Sequence, residues 1–288
     1  PIPAATAGAS GPSAGPVVVT DGQGRTVSLA TPARRVVALA PHATELVFAA
    51  GGGPQLVGAV RYSDWPAAAR LVPQVGDAWH LNAETLVGLR PDLVVAWLPG
   101  PVQPLQTALD AASVRVFYTA PTRLADIADD VERLGTLLGT TRQASAKATS
   151  LRVRLRGLEQ TYADRTPVRV FIHAGSAPLY TLSDNHIVGD ALRVCGGVNV
   201  FGRAGPAAPQ VEMEALIAAN PQVILTTDEQ GGRDPVGFWR STAPHLPAVR
   251  LARVIAVPAD ALYRPGPRLF DATAQLCEAL EAIRMSRR

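Results

Sequence analysis

The sequence predicts an α/β protein built as two Rossmann-like α/β lobes joined by one long rigid α-helix. Three observations predict it. Short apolar strands alternate with short helices over residues 36–118. Residues 122–162 then become rich in Ala, Leu, Arg and Glu, interrupted only near Gly139-Thr140-Thr141. After Pro167 the alternation restarts, and Asn220-Pro221-Gln222-Val223-Ile224-Leu225 echoes Arg90-Pro91-Asp92-Leu93-Val94-Val95. Alternating β and α units build open, mainly parallel sheets with helices on their faces.

Taken in order, residues 1–16 are Pro, Ala, Gly and Ser with almost nothing to bury, and read as a disordered tether. Residues 17–29 alternate around Asp21-Gly22-Gln23-Gly24 and predict a β-hairpin. A strand over 36–40 leads into Pro41-His42-Ala43-Thr44, with a helix expected from Glu45 to Ala50, Thr44 as its cap and Gly51 as its stop. A strand over 56–60 precedes the loop Tyr62-Ser63-Asp64-Trp65-Pro66. Asn82 is placed to cap a short helix over 82–89, with Glu84 in the first turn, where the helix dipole favours a carboxylate anyway. Leu93–Ala96 is apolar and valine-rich, as a strand buried on both faces should be. Trp97 therefore falls at a strand's carboxyl end, beyond which open α/β sheets bind ligands. An aromatic there suits the floor of a site for a flat ligand; a plain core tryptophan is the competing reading. A helix over 105–111 and a strand over 114–118 complete the first lobe.

Leu124–Leu138 reads as one helix and Thr141–Tyr162 as a second of about 20 residues, or ~30 Å, enough to span two lobes. In the second lobe strands are expected over 168–173, 223–226 and 254–257, and helices over 187–195, 213–219 and 269–284. The organisation is thus a tether (1–16), an N-terminal lobe (17–122), a helical backbone (123–166) and a C-terminal lobe (167–288).

Composition narrows the function. Hydrophobic residues make up 47% of the chain, and no apolar run approaches the ~20 residues that cross a bilayer. The isoelectric point is near 9.2, yet the net charge is only +3, and the basic residues, nearly all arginine, are spread along the chain without a stripe interleaved with aromatics. Nucleic acid is not an expected partner. Cys195 and Cys277 belong to no CxxC or Cys/His cluster, so zinc is not expected. They fit either one disulfide, which points to an oxidising compartment, or two free buried thiols. No charged n-region and apolar h-region are present, so export is an inference. Phosphate-loop, dinucleotide, HExxH and nucleophile-elbow motifs are absent, and no carboxylate pair stands out as an acid/base couple. A binder is favoured over an enzyme.

Arg35-Val36-Val37-Ala38-Leu39-Ala40-Pro41 with Thr44-Glu45-Leu46, then Tyr62-Ser63-Asp64, Asn82-x-Glu84 and Arg90-Pro91-Asp92-Leu93-Val94-Val95-Ala96-Trp97, resemble the metal-chelate periplasmic binding proteins. The resemblance runs from about Val36 to Leu280 and includes Val194-Cys195-Gly196-Gly197-Val198-Asn199, Pro209-Gln210-Val211 and Gln275-Leu276-Cys277-Glu278. The paired cysteines and the Tyr62/Trp97 pair point more narrowly to the cobalamin (vitamin B12) branch. The resemblance implies a periplasmic, non-enzymatic carrier of cobalamin or a related corrinoid, expected as a monomer that does not span the membrane. It has no resident cofactor or metal, and it docks on the permease of an ABC importer.

Position by position, the resemblance implies that Tyr62, Trp79 and Trp97 line the N-lobe side of the cleft and that Tyr180 is an aromatic of the C-lobe. It places Asp260 and Arg264 against the ligand's amide side chains, and Glu84 and Glu214 as lobe-tip glutamates that dock on permease arginines. Bland readings stand beside these: Tyr62 and Trp79 as loop aromatics, Asp260 and Arg264 as a local ion pair. Where the family carries a tryptophan before Pro-Gln-Val, this chain has Ala208. His80 and His42 are candidate axial or cleft ligands and give the alternative cargo, haem; a ferric siderophore would want more converging cations than Arg264, Arg61 and Arg268. An enzyme on the same two-lobed fold, or an interaction protein that has lost its ligand, are the readings from other classes.

Overall fold

The computed structural model describes residues 15–77, 80–227 and 234–286. The predicted tether, apart from its last two residues, and Trp79 lie outside the described residues. Two four-stranded parallel sheets form the framework. In the first the strands run Leu56–Ala59, Val36–Ala38, Leu93–Ala96, Arg115–Tyr118 across the sheet; in the second Gly197–Asn199, Val168–Ile172, Val223–Thr227, Val254–Val257. Both sheets therefore follow one order, with the second strand at the edge, then the first, third and fourth. Such an order reverses direction between the first and third strands, and that switch point opens a crevice at the carboxyl ends. The hairpin Val17–Thr20 with Thr26–Leu29 pairs antiparallel, as its alternation predicts.

Leu124–Leu138 and Thr141–Tyr162 form the two long helices at the predicted positions. Gly139 ends the first in the left-handed region (φ 70°) that favours glycine. At its start Asp126 accepts from the backbone N–H of Thr122 (2.9 Å) and Arg123 (2.8 Å). Asp190 of the second lobe accepts from Leu124 N–H at 2.9 Å, which fastens this helix end to the other lobe. Thr141–Tyr162 has 22 residues, about 33 Å of rigid rod. It buries Ala144, Ala148, Leu151 and Leu155 at helical spacing. Small residues bring the two long helices close: a Cβ on Gly135 would meet the Ala144 Cβ.

One buried apolar cluster runs through the molecule. It contains Val36, Leu46, Leu93 and Phe117 of the first lobe, Leu134 and Leu151 of the long helices, and Val170, Leu192, Leu225 and Leu276 of the second. Separate clusters back the outer face of each sheet, around Val94 and Leu109 in one lobe and Phe171 and Trp239 in the other. Cys195 and Cys277 are bonded, across 82 residues of chain.

Two expectations are corrected. The first-lobe helix runs Pro41–Ala49 rather than from Glu45, because Pro41 at its first turn presets the helical φ after extended Ala40. Thr44 is consequently inside the helix rather than its cap, and its hydroxyl donates to Ser63 Oγ at 3.0 Å. The helix Pro235–Thr242, which buries Trp239, was not expected; its start is signalled by Asp234, which accepts from Val236 N–H, and by Pro235.

Candidate ligand-binding cleft

The crevice at the first sheet's switch point is formed by the carboxyl ends of Val36–Ala38 and Leu93–Ala96. From the first come Leu39, Ala40, Pro41 and His42; from the second, Trp97 and Leu98; Pro101 and Val102 close one side. Tyr263, Arg264 and Pro265 of the second lobe face them, and together they enclose about 180 Å³. Trp97 keeps 37% of its surface exposed, so it is a cleft wall rather than a core tryptophan. His42 packs edge-on against it, ring centroids 5.4 Å apart. Burial, with the Arg264 charge adding to it, lowers the His42 pKa to about 3. The ring is therefore neutral throughout the physiological range, and its Nε2 has no hydrogen-bond partner.

A network of charges crosses between the lobes beside this pocket. Arg268 donates to Glu45 through Nη2 at 2.6 Å and through Nε at 3.1 Å. Arg264 donates to Asp64 at 2.8 Å, pairs with Asp260 at 2.5 Å, and has the Glu45 carboxylate 3.9 Å away. Burial raises the Glu45 pKa against the opposing pull of Arg268. Asp64 moves the other way: burial would raise it, but the hydrogen bond and charge of Arg264 outweigh that and hold its carboxyl below the usual range. Arg268 also stacks over Trp65, 5.3 Å from the ring centroid. The loop holding Arg264 and Arg268 approaches the first helix closely, since a Cβ on Gly266 would stand 3.0 Å from Glu45 Oε2. Sequence patterns missed Glu45 and Asp64 as partners of these arginines, because the pairs join residues about 200 positions apart and no local spacing encodes them.

The remaining candidates are distributed. Tyr62 is 68% exposed on its loop with φ 66°, a left-handed backbone unusual for tyrosine. Tyr180 lies half-exposed on the small hairpin Gly175–Ser176 with Leu179–Tyr180, whose end bridges to Gln210. Ala208 sits exposed beside this bridge. His80 is exposed and its Nδ1 lies 3.2 Å from Asp77. The structure brings His42, Trp97 and Arg264 to one pocket, joins Asp260 to it through Arg264, and leaves Tyr62, Tyr180 and His80 outside the pocket lining. Glu84 and Glu214 occupy matching places: each is an exposed second residue of the helix that precedes its lobe's third strand. The Asn82 side chain accepts from Thr85 N–H at 2.9 Å, as its capping role requires. A larger hollow of about 610 Å³, between Arg123 and Asp184–Asn199, contains none of the cleft aromatics and has its arginines paired to Asp190.

Residues 36–261 match the family model described as periplasmic binding protein. The chain belongs to this family. Among relatives of this periplasmic binding protein, the vitamin B12-binding protein of Photorhabdus laumondii is 38% identical over 251 residues, covering 85% of this chain and 87% of the relative. That of Vibrio cholerae is 34% identical over 250 residues, covering 87% and 90%. The crystal structure of the periplasmic vitamin B12-binding protein of Vibrio cholerae superposes with a TM-score of 0.78, covering 87% of this chain and 98% of that one. The apo periplasmic heme-binding protein from Roseiflexus sp. RS-1 superposes with a TM-score of 0.76 at 25% identity, covering 85% and 97%. These neighbours share the architecture read from the sequence, two α/β lobes and a long helix.

Proposed function

We propose that this chain is a periplasmic, non-enzymatic carrier that captures cobalamin or a related corrinoid between its lobes and delivers it to an ABC-type importer. One observation carries the reading: in a family whose B12-binding members it matches, a Trp97/His42 wall at one lobe's strand ends faces the Arg264–Asp260 pair of the other. A corrin is broad, flat and fringed by amides. Its apolar face suits the aromatic wall, and its amides suit a guanidinium that donates beside a carboxylate that accepts. Tyr62 and Tyr180, exposed on their own loops, supply further aromatic surface for the ligand, and the resemblance assigns Trp79 the same part. The hollow is smaller than the roughly 300–1,000 Å³ of ordinary small-molecule sites, so a corrin seats there only when the lobes part. Glu84 and Glu214, one per lobe at matching positions, supply two-point registration on cationic groups of the permease.

Isothermal titration with cyanocobalamin tests this. A sub-micromolar, one-to-one isotherm is expected, and Trp97→Ala should weaken it roughly 30-fold, as for a buried aromatic anchor. Glu84→Lys with Glu214→Lys should leave that isotherm intact while abolishing delivery to permease-containing vesicles. Absence of heat with the unaltered chain would overturn the corrinoid assignment.

A second reading, haem as cargo, is favoured by one feature: His42 lines the pocket as a neutral ring whose Nε2 has no partner, a group that in the tautomer protonated at Nδ1 offers a lone pair to iron. Hemin binding with a Soret shift that disappears in His42→Ala would select it.

A further inference from the structure

Arg264 is the C-lobe group best placed to donate hydrogen bonds into the cleft, yet in the closed molecule its guanidinium is already engaged at both ends. One terminal nitrogen pairs with Asp260 at 2.5 Å and the other with Asp64 at 2.8 Å. The two carboxylates are not equivalent. Asp260 lies four residues before Arg264 on the same lobe and travels with it. Asp64 belongs to the opposite lobe, so its bond is lost when the lobes part or when a ligand atom takes the same N–H. The second inter-lobe pair, Glu45–Arg268, is more deeply placed, with Glu45 only 2% exposed against 42% for Asp64.

We propose that Asp64 is an affinity-setting residue: it competes with the cargo for Arg264 and holds the empty cleft shut. The proposal rests on the corrinoid reading for its ligand but not for its latch. Asp64→Asn keeps an acceptor for the still-cationic Arg264 but removes the opposing carboxylate charge, so the inter-lobe pair loses its ion-pair attraction and the competitor weakens without a change of shape. Asp64→Asn should bind cyanocobalamin roughly five- to tenfold more tightly, mainly through faster association. In an Arg264→Ala background the same substitution should have no effect, because the pair it disrupts is gone.

The experiment is a double-mutant cycle on Asp64 and Arg264 by titration and stopped-flow mixing with cyanocobalamin. Amide hydrogen exchange of the ligand-free proteins accompanies it. In Asp64→Asn, exchange at residues 60–66 and 262–266 should accelerate several-fold, which reports the latch with no ligand present. Unchanged or weakened affinity in Asp64→Asn, or a gain that survives in Arg264→Ala, overturns the competition. If the unaltered chain binds no cyanocobalamin, the corrinoid reading falls and exchange decides the latch alone: unchanged exchange in Asp64→Asn then overturns it.

Discussion

Replacing Cys195 and Cys277 together by alanine should lower the thermal midpoint by roughly 10 °C. The bond closes a loop of 82 residues, and the chain-entropy description assigns such a loop about 4.5 kcal/mol of restraint on the unfolded chain. For a chain of this size each kcal/mol moves the midpoint by roughly 2–4 °C. Alanine adds no polar group to a site where both cysteines are fully buried. The bond ties the end of the helix Ile187–Val194 to the interior of Leu269–Met285. Around it Arg284 donates to the carbonyls of Cys195 (2.7 Å) and Gly196 (3.1 Å), so local geometry survives the substitution and the loss falls on the unfolded side. Differential scanning calorimetry of the two proteins measures the shift. A change under about 2 °C would mean the unfolded chain is already restrained in this region.

Acid should destabilise the fold steeply between pH 6.5 and 4. Burial lowers the pKa of His42 to about 3 and those of His173 and His186 to about 4, against an unfolded value near 6.5. These groups have depressed folded values, so below pH 6.5 the unfolded chain takes up protons the folded chain refuses. Stability is fully present above that pH and lost below it, levelling off near the folded values. Each histidine contributes about 1.4 kcal/mol per pH unit at most. Asp130 works against them: burial raises it to about 6, so the folded state gains one proton in the same window, and Glu45, also raised by burial, acts in the same direction. The net of at most about two protons implies a loss of up to roughly 2–3 kcal/mol between pH 6 and pH 5. Urea unfolding across this range measures it. His186→Asn keeps an acceptor for Val188 N–H, which His186 Nδ1 now serves at 3.2 Å, and should flatten the slope by about one proton. A stability curve flat from pH 7 to 5 would contradict the neutral state of these rings.

Much of the fold is legible because local rules determine it. The bounds of Leu124–Leu138 and Thr141–Tyr162 follow from periodicity and from Gly139, and Asn82 caps its helix as the side chain dictates. The start of the first helix is harder to read, because Pro41 suits a loop as well as a helix's first turn, where proline is favoured. In the site, Trp97 was readable as the residue after a buried strand. The Glu45–Arg268 and Asp64–Arg264 pairs were not, because tertiary folding alone brings these residues together. His42 is intermediate: its place on the strand-end loop is in the sequence, but its enclosure depends on Trp97 and the opposite lobe.

The apolar cluster that threads both lobes and the long helices bears on cooperativity. Sheets with private cores melt as separate calorimetric units, whereas a shared one forces both to lose order together. Heating should therefore give a single absorption peak whose van't Hoff and calorimetric enthalpies agree; two resolved peaks would show the lobes to be autonomous. A single peak also means that neither half of this chain is a module. Excised at the long helix, each would expose half of a core that only the other half completes.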